Sequence, residues 1–297
     1  MFLSARTTDR LATAVIWAVS IAIVALLVWF IGYELVQGVP HLSWHFLTGE
    51  EVIAKPGSGI GNQLFNSIYF LVLALLISVP LGLLAGIFMA QYLRPGRFAT
   101  VLELSTESLA SLPSIVVGLF GLLVFVQRTS WGYTLLGGAL SVAILNVPVL
   151  ARVTEVALRA VPTELAEASY GLGAAKWHTI VHILLPAALP ALVTGVILTA
   201  GRIFGEAAAL IYTAGLTTPQ LDFNNWNITS PQSFLNPMRP AETLAVHVWK
   251  LNTEGLLPDR TAVANGTTAT LILAVLIFNL GARFLGRWFY RRLTAAS

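Results

Sequence analysis

The sequence predicts an all-α, polytopic membrane protein of six transmembrane helices with both termini in the cytoplasm, read as one membrane domain over residues 1–297. Three observations carry that prediction. Hydrophobic residues make up 56% of the chain and charged residues 10%, with a mean hydropathy of +0.78, far from the balance of a soluble globular domain. Six apolar windows reach bilayer length: Leu11–Tyr33, Leu64–Tyr92, Leu109–Gln127, Trp131–Ala151, Ile183–Tyr212 and Thr261–Ala282. They lack the alternation of barrel strands, so each is read as a helix that satisfies its own backbone in hydrocarbon. Threading six spans with the N-terminus inside puts eleven cations in the cytoplasm: Arg6, Arg10, Arg94, Arg97, Arg152, Arg159, Lys176, Arg283, Arg287, Arg291 and Arg292. Five fall outside (Lys55, Arg128, Arg239, Lys250 and Arg260), and Arg202 is left within a span.

In chain order, the first apolar run (11–36) exceeds the core of a signal peptide and no small-x-small site clearly follows it, so it is read as an extra N-terminal helix ahead of a core bundle over 62–285. The outer loop 37–63 carries Pro40, Gly57, Gly59 and Gly61 and is irregular. Three spans lead to the cytoplasmic connection 152–182, where Pro162 and Thr163 start a short helix with Glu164 and Glu167 near its positive end. Gly171 and Gly173 break that helix, and AAKWHTIVHILLP resumes helical spacing until Pro186 and Pro190. The outer loop 214–260 is rich in proline, Pro258 included, but AETLAVHVWKLN sets Leu244, Val248 and Leu251 on one helical face.

Several function classes fall away. With no cysteine there are no disulfides, thiolate metal sites or cysteine nucleophiles. His41 with His45 and His178 with His182 stand one turn apart without a carboxylate in sequence, and read as interfacial histidines beside Trp44 and Trp177, with no metal or other cofactor expected. No phosphate-binding Gly-x-x-x-x-Gly-Lys loop occurs, so the chain is not itself expected to hydrolyse ATP. No basic stripe with interleaved aromatics calls for nucleic acid; the pI near 9.4 reflects membrane-anchoring cations.

The connection resembles the coupling loop of binding-protein-dependent ABC importer permeases, the MetI-like bundle family. Glu167-Ala168-Ser169, then Gly173, then Ile183-Leu184-Leu185-Pro186 keep both spacings of that signature, Ser169 standing where the family has alanine. The resemblance implies that Glu164, Glu167, Ala168, Gly171 and Gly173 dock a separate ABC ATPase subunit. It also implies a second permease subunit, an extracytoplasmic binding protein, and a multi-pass place in a bacterial or archaeal inner membrane.

Charge inside the fifth window is the other signal. Arg202 and Glu206 stand four apart in TAGRIFGEAAALIYTAG, which places them on one face near mid-helix, flanked by Gly201 and Gly205 in the GxxxG spacing that admits a neighbouring helix. At that depth a charge costs at least about 2.5–3.5 kcal/mol, so the pair is expected to face a partner or polar path. The residues alone leave two readings, mutual neutralisation or an arginine fork for an anion. That segment, with NSIYFLVLALLISVPLG and SLPSIVVGLFGLLVF, resembles phosphate importer permeases, and the resemblance implies Arg202 and Glu206 on a phosphate path; another oxyanion, sulfate or molybdate, and a secondary transporter are the alternatives. Asn66, Ser67, Ser111, Ser114 and Asn146 are expected to bridge helices.

Overall fold

The computed structural model describes the backbone of residues 5–51, 57–254 and 259–294. Lys55 and Pro258 lie outside the described residues, as do the side chains of Arg287, Arg291 and Arg292. The order is α1 (Ala5–Gly38), α2 (Trp44–Thr48), α3 (Gly61–Ile87), α4 (Arg97–Ala110), α5 (Ser114–Gly121), α6 (Leu135–Arg159), α7 (Thr163–Gly171), α8 (Lys176–Thr179), α9 (Leu185–Phe204), α10 (Ala208–Thr213), α11 (Leu244–Glu254) and α12 (Arg260–Thr294). Among the described residues there is no strand, only an isolated bridge between Asp222 and Ser233.

Five helical stretches are long and apolar enough to cross a bilayer: Arg6–His41, Gly61–Tyr92, Leu135–Arg159, Lys176–Phe204 and Arg260–Gly281. The sixth crossing differs from the straight Leu109–Gln127 helix that the hydropathy predicted. Leu109 and Ala110 end α4, Ser111–Pro113 breaks the chain, and Ser114–Arg128 leaves at 91° to α4. Pro113 bars the preceding residue from helical backbone, which sets the corner there. Two other expectations are corrected. Pro186 and Pro190 do not stop a helix: the helix from Lys176 widens into a π turn over Ile180–Leu184 just ahead of Pro186, and Pro190 is absorbed within α9. The fifth span does not run on to Tyr212: α9 ends at Phe204 and α10 starts afresh at Ala208.

α3 and α6 make the centre of the bundle. In lipid there is little hydrophobic drive between helices, so close van der Waals contact between small residues holds them. A side chain at Gly82 would collide with Leu150, and one at Gly86 with Ala151 and Thr154. This Gly82/Gly86 pair is the GxxxG contact of the fold.

Buried apolar residues fall into two groups. The larger joins Ile60, Phe70, Leu135, Val142, Ile203, Phe204, Leu210 and Leu244. The smaller joins Ile87, Ala157, Leu158, Val161, Ile180, Leu184, Ala188 and Leu192, where α3, α6 and α9 meet the connection. α6 orients the two: its first amides bond the 213–239 segment through Leu135 to Arg239 O at 3.0 Å and Leu136 to Pro237 O at 2.8 Å, while Arg152 and Arg159 sit at its far end. Arg239 and Lys250 therefore lie at the opposite end of the bundle from Arg152, Arg159 and Lys176.

Candidate functional site

The connection between the spans shortens to residues 160–175 because α6 runs to Arg159 and the next long helix starts at Lys176. α7 opens after Pro162, with Glu164 in its first turn, and closes through Leu172 N to Ala168 O at 3.2 Å and Gly173 N to Tyr170 O at 2.9 Å. Gly173 has φ +84°, a left-handed conformation that a side chain would strain. Glu164, Glu167, Ala168, Gly171 and Gly173 are all exposed on this elbow. Leu165 and Tyr170 are also exposed, and Leu172 is 90% exposed. The sequence reading passed over Tyr170 and Leu172; an apolar residue beside the loop glycines was the available signal.

Beneath the elbow, Glu155 is fully buried between Arg152 at 2.8 Å and Arg159 at 2.7 Å. The Arg159 contact is an ion pair without hydrogen-bond alignment at Glu155 Oε1. Arg152 also meets Glu103 and Glu107 across a cavity of about 50 Å³ between α4 and α6. His178 and His182 stack with ring centroids 4.1 Å apart.

The second place of interest is the break between α9 and α10. Arg202 and Glu206 do not share one continuous helical face, because Gly205–Ala207 is not helical. Arg202 lies in the last turn of α9 rather than at mid-helix, where the negative helix terminus favours a cation. Glu206 Oε1 instead accepts from Ala209 N at 3.1 Å, satisfying an orphan amide at the start of α10. Among the described residues, no acidic side chain pairs with Arg202. It is exposed on an open stripe of α9 with Ala191, Thr194 and Leu198. Gly201 packs on Asn279 of α12, 3.3 Å from where a side chain would begin, whereas Gly205 meets only its own helix's carbonyls. The two glycines thus part company.

At the far end a polar network joins α3 to the 217–254 segment. Arg239 is 2% exposed, its Nη2 donating to Asn66 Oδ1 at 2.8 Å, and its Nε has no partner. Burial pulls its guanidinium down to about 10, with Tyr69 acting weakly the other way. Asn66 also donates to Thr218 Oγ1 and Glu242 O, both at 3.0 Å, so it ties a span to a loop rather than bridging spans. Asn146 donates to Val142 O of its own helix. Glu242, fully buried, accepts from Lys250 at 3.1 Å and lies 2.7 Å from His247 Nδ1. Lys250 reaches Glu51 at 3.4 Å. Burial lowers the Lys250 pKa, but Glu242 and Glu51 more than offset that and leave it raised. Glu51, Glu242 and His247 are near enough to ligate a metal, yet the Lys250 ammonium already occupies one oxygen of each carboxylate.

Residues 82–295 match the family described as binding-protein-dependent transport system inner membrane component. The chain belongs to that family. A probable ABC transporter permease of Bacillus subtilis, YqgI, is 50% identical to this permease over 290 residues, covering 98% of this chain and 99% of that one. The phosphate transport system permease protein PstA of Haemophilus influenzae is 34% identical, covering 69% of this chain and 71% of its own. PstA 1 of Mycobacterium tuberculosis H37Rv is 30% identical, over 94% and 88%. Among solved structures, an inward-facing MetNI methionine ABC transporter superposes with a TM-score of 0.56 at 18% identity, covering 83% of this chain and 96% of that one. A bacterial alginate ABC transporter in complex with an alginate pentasaccharide-bound periplasmic protein gives 0.62 at 16%, over 95% of each chain. These likenesses fix the MetI-like fold. This permease is thus a multi-pass, all-α member of the ABC importer class, and its relatives are transport subunits rather than catalysts.

Proposed function

We propose that this permease forms half of the translocation path of an ATP-driven importer of inorganic phosphate in a bacterial or archaeal inner membrane. Its partners are a second permease subunit, an ABC ATPase seated on α7, and an extracytoplasmic phosphate-binding protein at the 37–63 and 214–260 loops. The observation that carries the reading is Arg202, a guanidinium exposed on an otherwise uncharged helix face with no acid paired to it among the described residues. Facing lipid it would cost at least about 2.5–3.5 kcal/mol; facing a polar path between two subunits it is an anion fork, matched to two phosphate oxygens. Relatives named as phosphate permeases support the choice of anion. Glu206 caps α10 through one oxygen, and its other oxygen is the one offered to a protonated phosphate. The ATPase partner is supported by the exposed apolar knob at Leu172, which a groove on another protein would cover.

ATP-driven closure of the motor would move the elbow and, with it, α6 and α9. The test is uptake of labelled phosphate, sulfate and molybdate into vesicles holding the assembled complex, with and without ATP. Arg202→Ala is expected to assemble normally and lose phosphate uptake by at least about ten-fold. Wild-type uptake in that variant removes Arg202 from the path, and preferential sulfate or molybdate uptake by the wild type removes phosphate.

A further inference from the structure

We propose that Ser169 and Thr179 form a hydroxyl latch that holds α7 at a fixed angle to α8, so that the elbow moves as one rigid body. The inference rests on the reading of α7 as the ATPase-docking helix, and it concerns what happens after docking. α7 has 9 residues, too short to be stable or oriented on its own, whereas α8 is the first turn of the long helix Lys176–Phe204. The turn between them is a natural hinge, since a side chain at Gly171 or Gly173 would meet nothing. Something must stop that hinge from absorbing the motor's stroke.

Ser169 Oγ lies 2.8 Å from Thr179 Oγ1, on opposite sides of the bend. Both residues are buried, at 5% and 0% exposure, so water does not compete for the bond. Thr179 Oγ1 is also 3.3 Å from Ala175 O, so Thr179 can donate there while accepting from Ser169. Among the described residues of 160–184, this is the one hydrogen bond between two side chains. Thr179 itself is a fixed point: the next residue, Ile180, belongs to the inner apolar cluster with Ile87, Leu158 and Val161. Lys176, one turn earlier, donates to Gln91 O and sits 4.4 Å from the Tyr92 ring centroid, fastening α8 to the end of the α3 span. The latch therefore carries the orientation of α7 through α8 to both α9 and α3. An alanine at position 169 could not make the bond.

The experiment uses the complete reconstituted complex and reads labelled phosphate imported per ATP hydrolysed, alongside ATPase co-purification. Ser169→Ala and Thr179→Val are each expected to lower the ratio about five-fold while the ATPase still co-purifies. The double variant should be no worse than either single one, and Thr179→Ser should restore the ratio. An unchanged ratio in the single variants, losses that multiply in the double, or loss of the ATPase from either single variant overturns the latch. Failure of the wild-type chain to retain an ATPase sinks the docking reading instead.

Discussion

At the end of the bundle that the proposed topology places outside, Glu242 and His247 are sealed from solvent and Lys250 nearly so, with Arg239 buried among carbonyls and Asn66. At the inner end, Arg152 and Arg159 keep 50% and 52% of their side-chain surface and Leu172 keeps 90% of its own. Both ends carry charge and both leave apolar side chains open, Trp226 of the outer loop being 72% exposed; they differ in how the charges are held. The outer network draws its partners from one chain, on α3, the 217–243 loop and α11, with Arg239 Nε and His247 Nε2 left as unpaired buried atoms. The inner end leaves apolar surface uncovered and cations half paired, as expected where another protein must fit and move the chain. A buried charge network paired within one chain is a platform, and an exposed one is a joint.

The largest effect that separates the two ends belongs to Glu242. Glu242→Ala strips Lys250 and His247 of a fully buried partner and is expected to cost about 3–5 kcal/mol, read as a lower thermal unfolding midpoint in detergent and a lower level in the membrane. No single substitution of an exposed α7 residue should approach that. An unfolding midpoint within a degree of wild type would mean that the outer network is not the platform described.

What could be read from the chain divides along the same line. Spans, the elbow helix and its glycine turn were legible because hydropathy, a proline–threonine start and loop glycines are local signals, and local signals settle local structure. The bend at Ser111–Pro113 and the break at Gly205–Ala207 were not, since both fall inside windows that are apolar on average and hydropathy cannot see a corner. The charged pair was misjudged for that reason: the i,i+4 rule holds only if the helix continues, and Glu206 turns instead to the Ala209 amide. The sequence spacing points to GxxxG at Gly201/Gly205, while the closer contact lies at Gly82/Gly86. Arg239 and Lys250 were counted as outer cations, but nothing local foretold that partners 173 and 199 residues away would bury them.

A smaller effect sharpens the outer half. Because Lys250 is raised by Glu242 and Glu51, its stabilisation is fully present below its ordinary value and is lost as pH climbs through the higher folded value. Arg239 works oppositely in the alkaline range, since the unfolded chain keeps the proton longer and stability gains as pH rises above about 10. Comparing wild type with Lys250→Met cancels the arginine, which both share. As pH climbs past the ordinary lysine value of 10.5, the wild type should lose stability more steeply than the variant, followed by thermal unfolding. Parallel curves would show that Lys250 is not coupled to the two carboxylates.

The smallest expected change in stability tests the joint most directly. Leu172 makes almost no contact within its own chain, so Leu172→Asp removes nothing that the folded permease uses, and its unfolding midpoint should stay within about 0.5 kcal/mol of wild type. Covered by a partner's groove, the same change would bury an unpaired carboxylate, and the ATPase should fail to co-purify. Either half of that result is uninformative alone: a destabilised variant loses partners trivially, and a stable one that keeps them shows only that the knob is free. A full-strength fold together with a missing ATPase distinguishes a surface made to be covered from one that is merely exposed. The outer network, sealed within its own chain, offers no residue at which the two readouts could separate in this way.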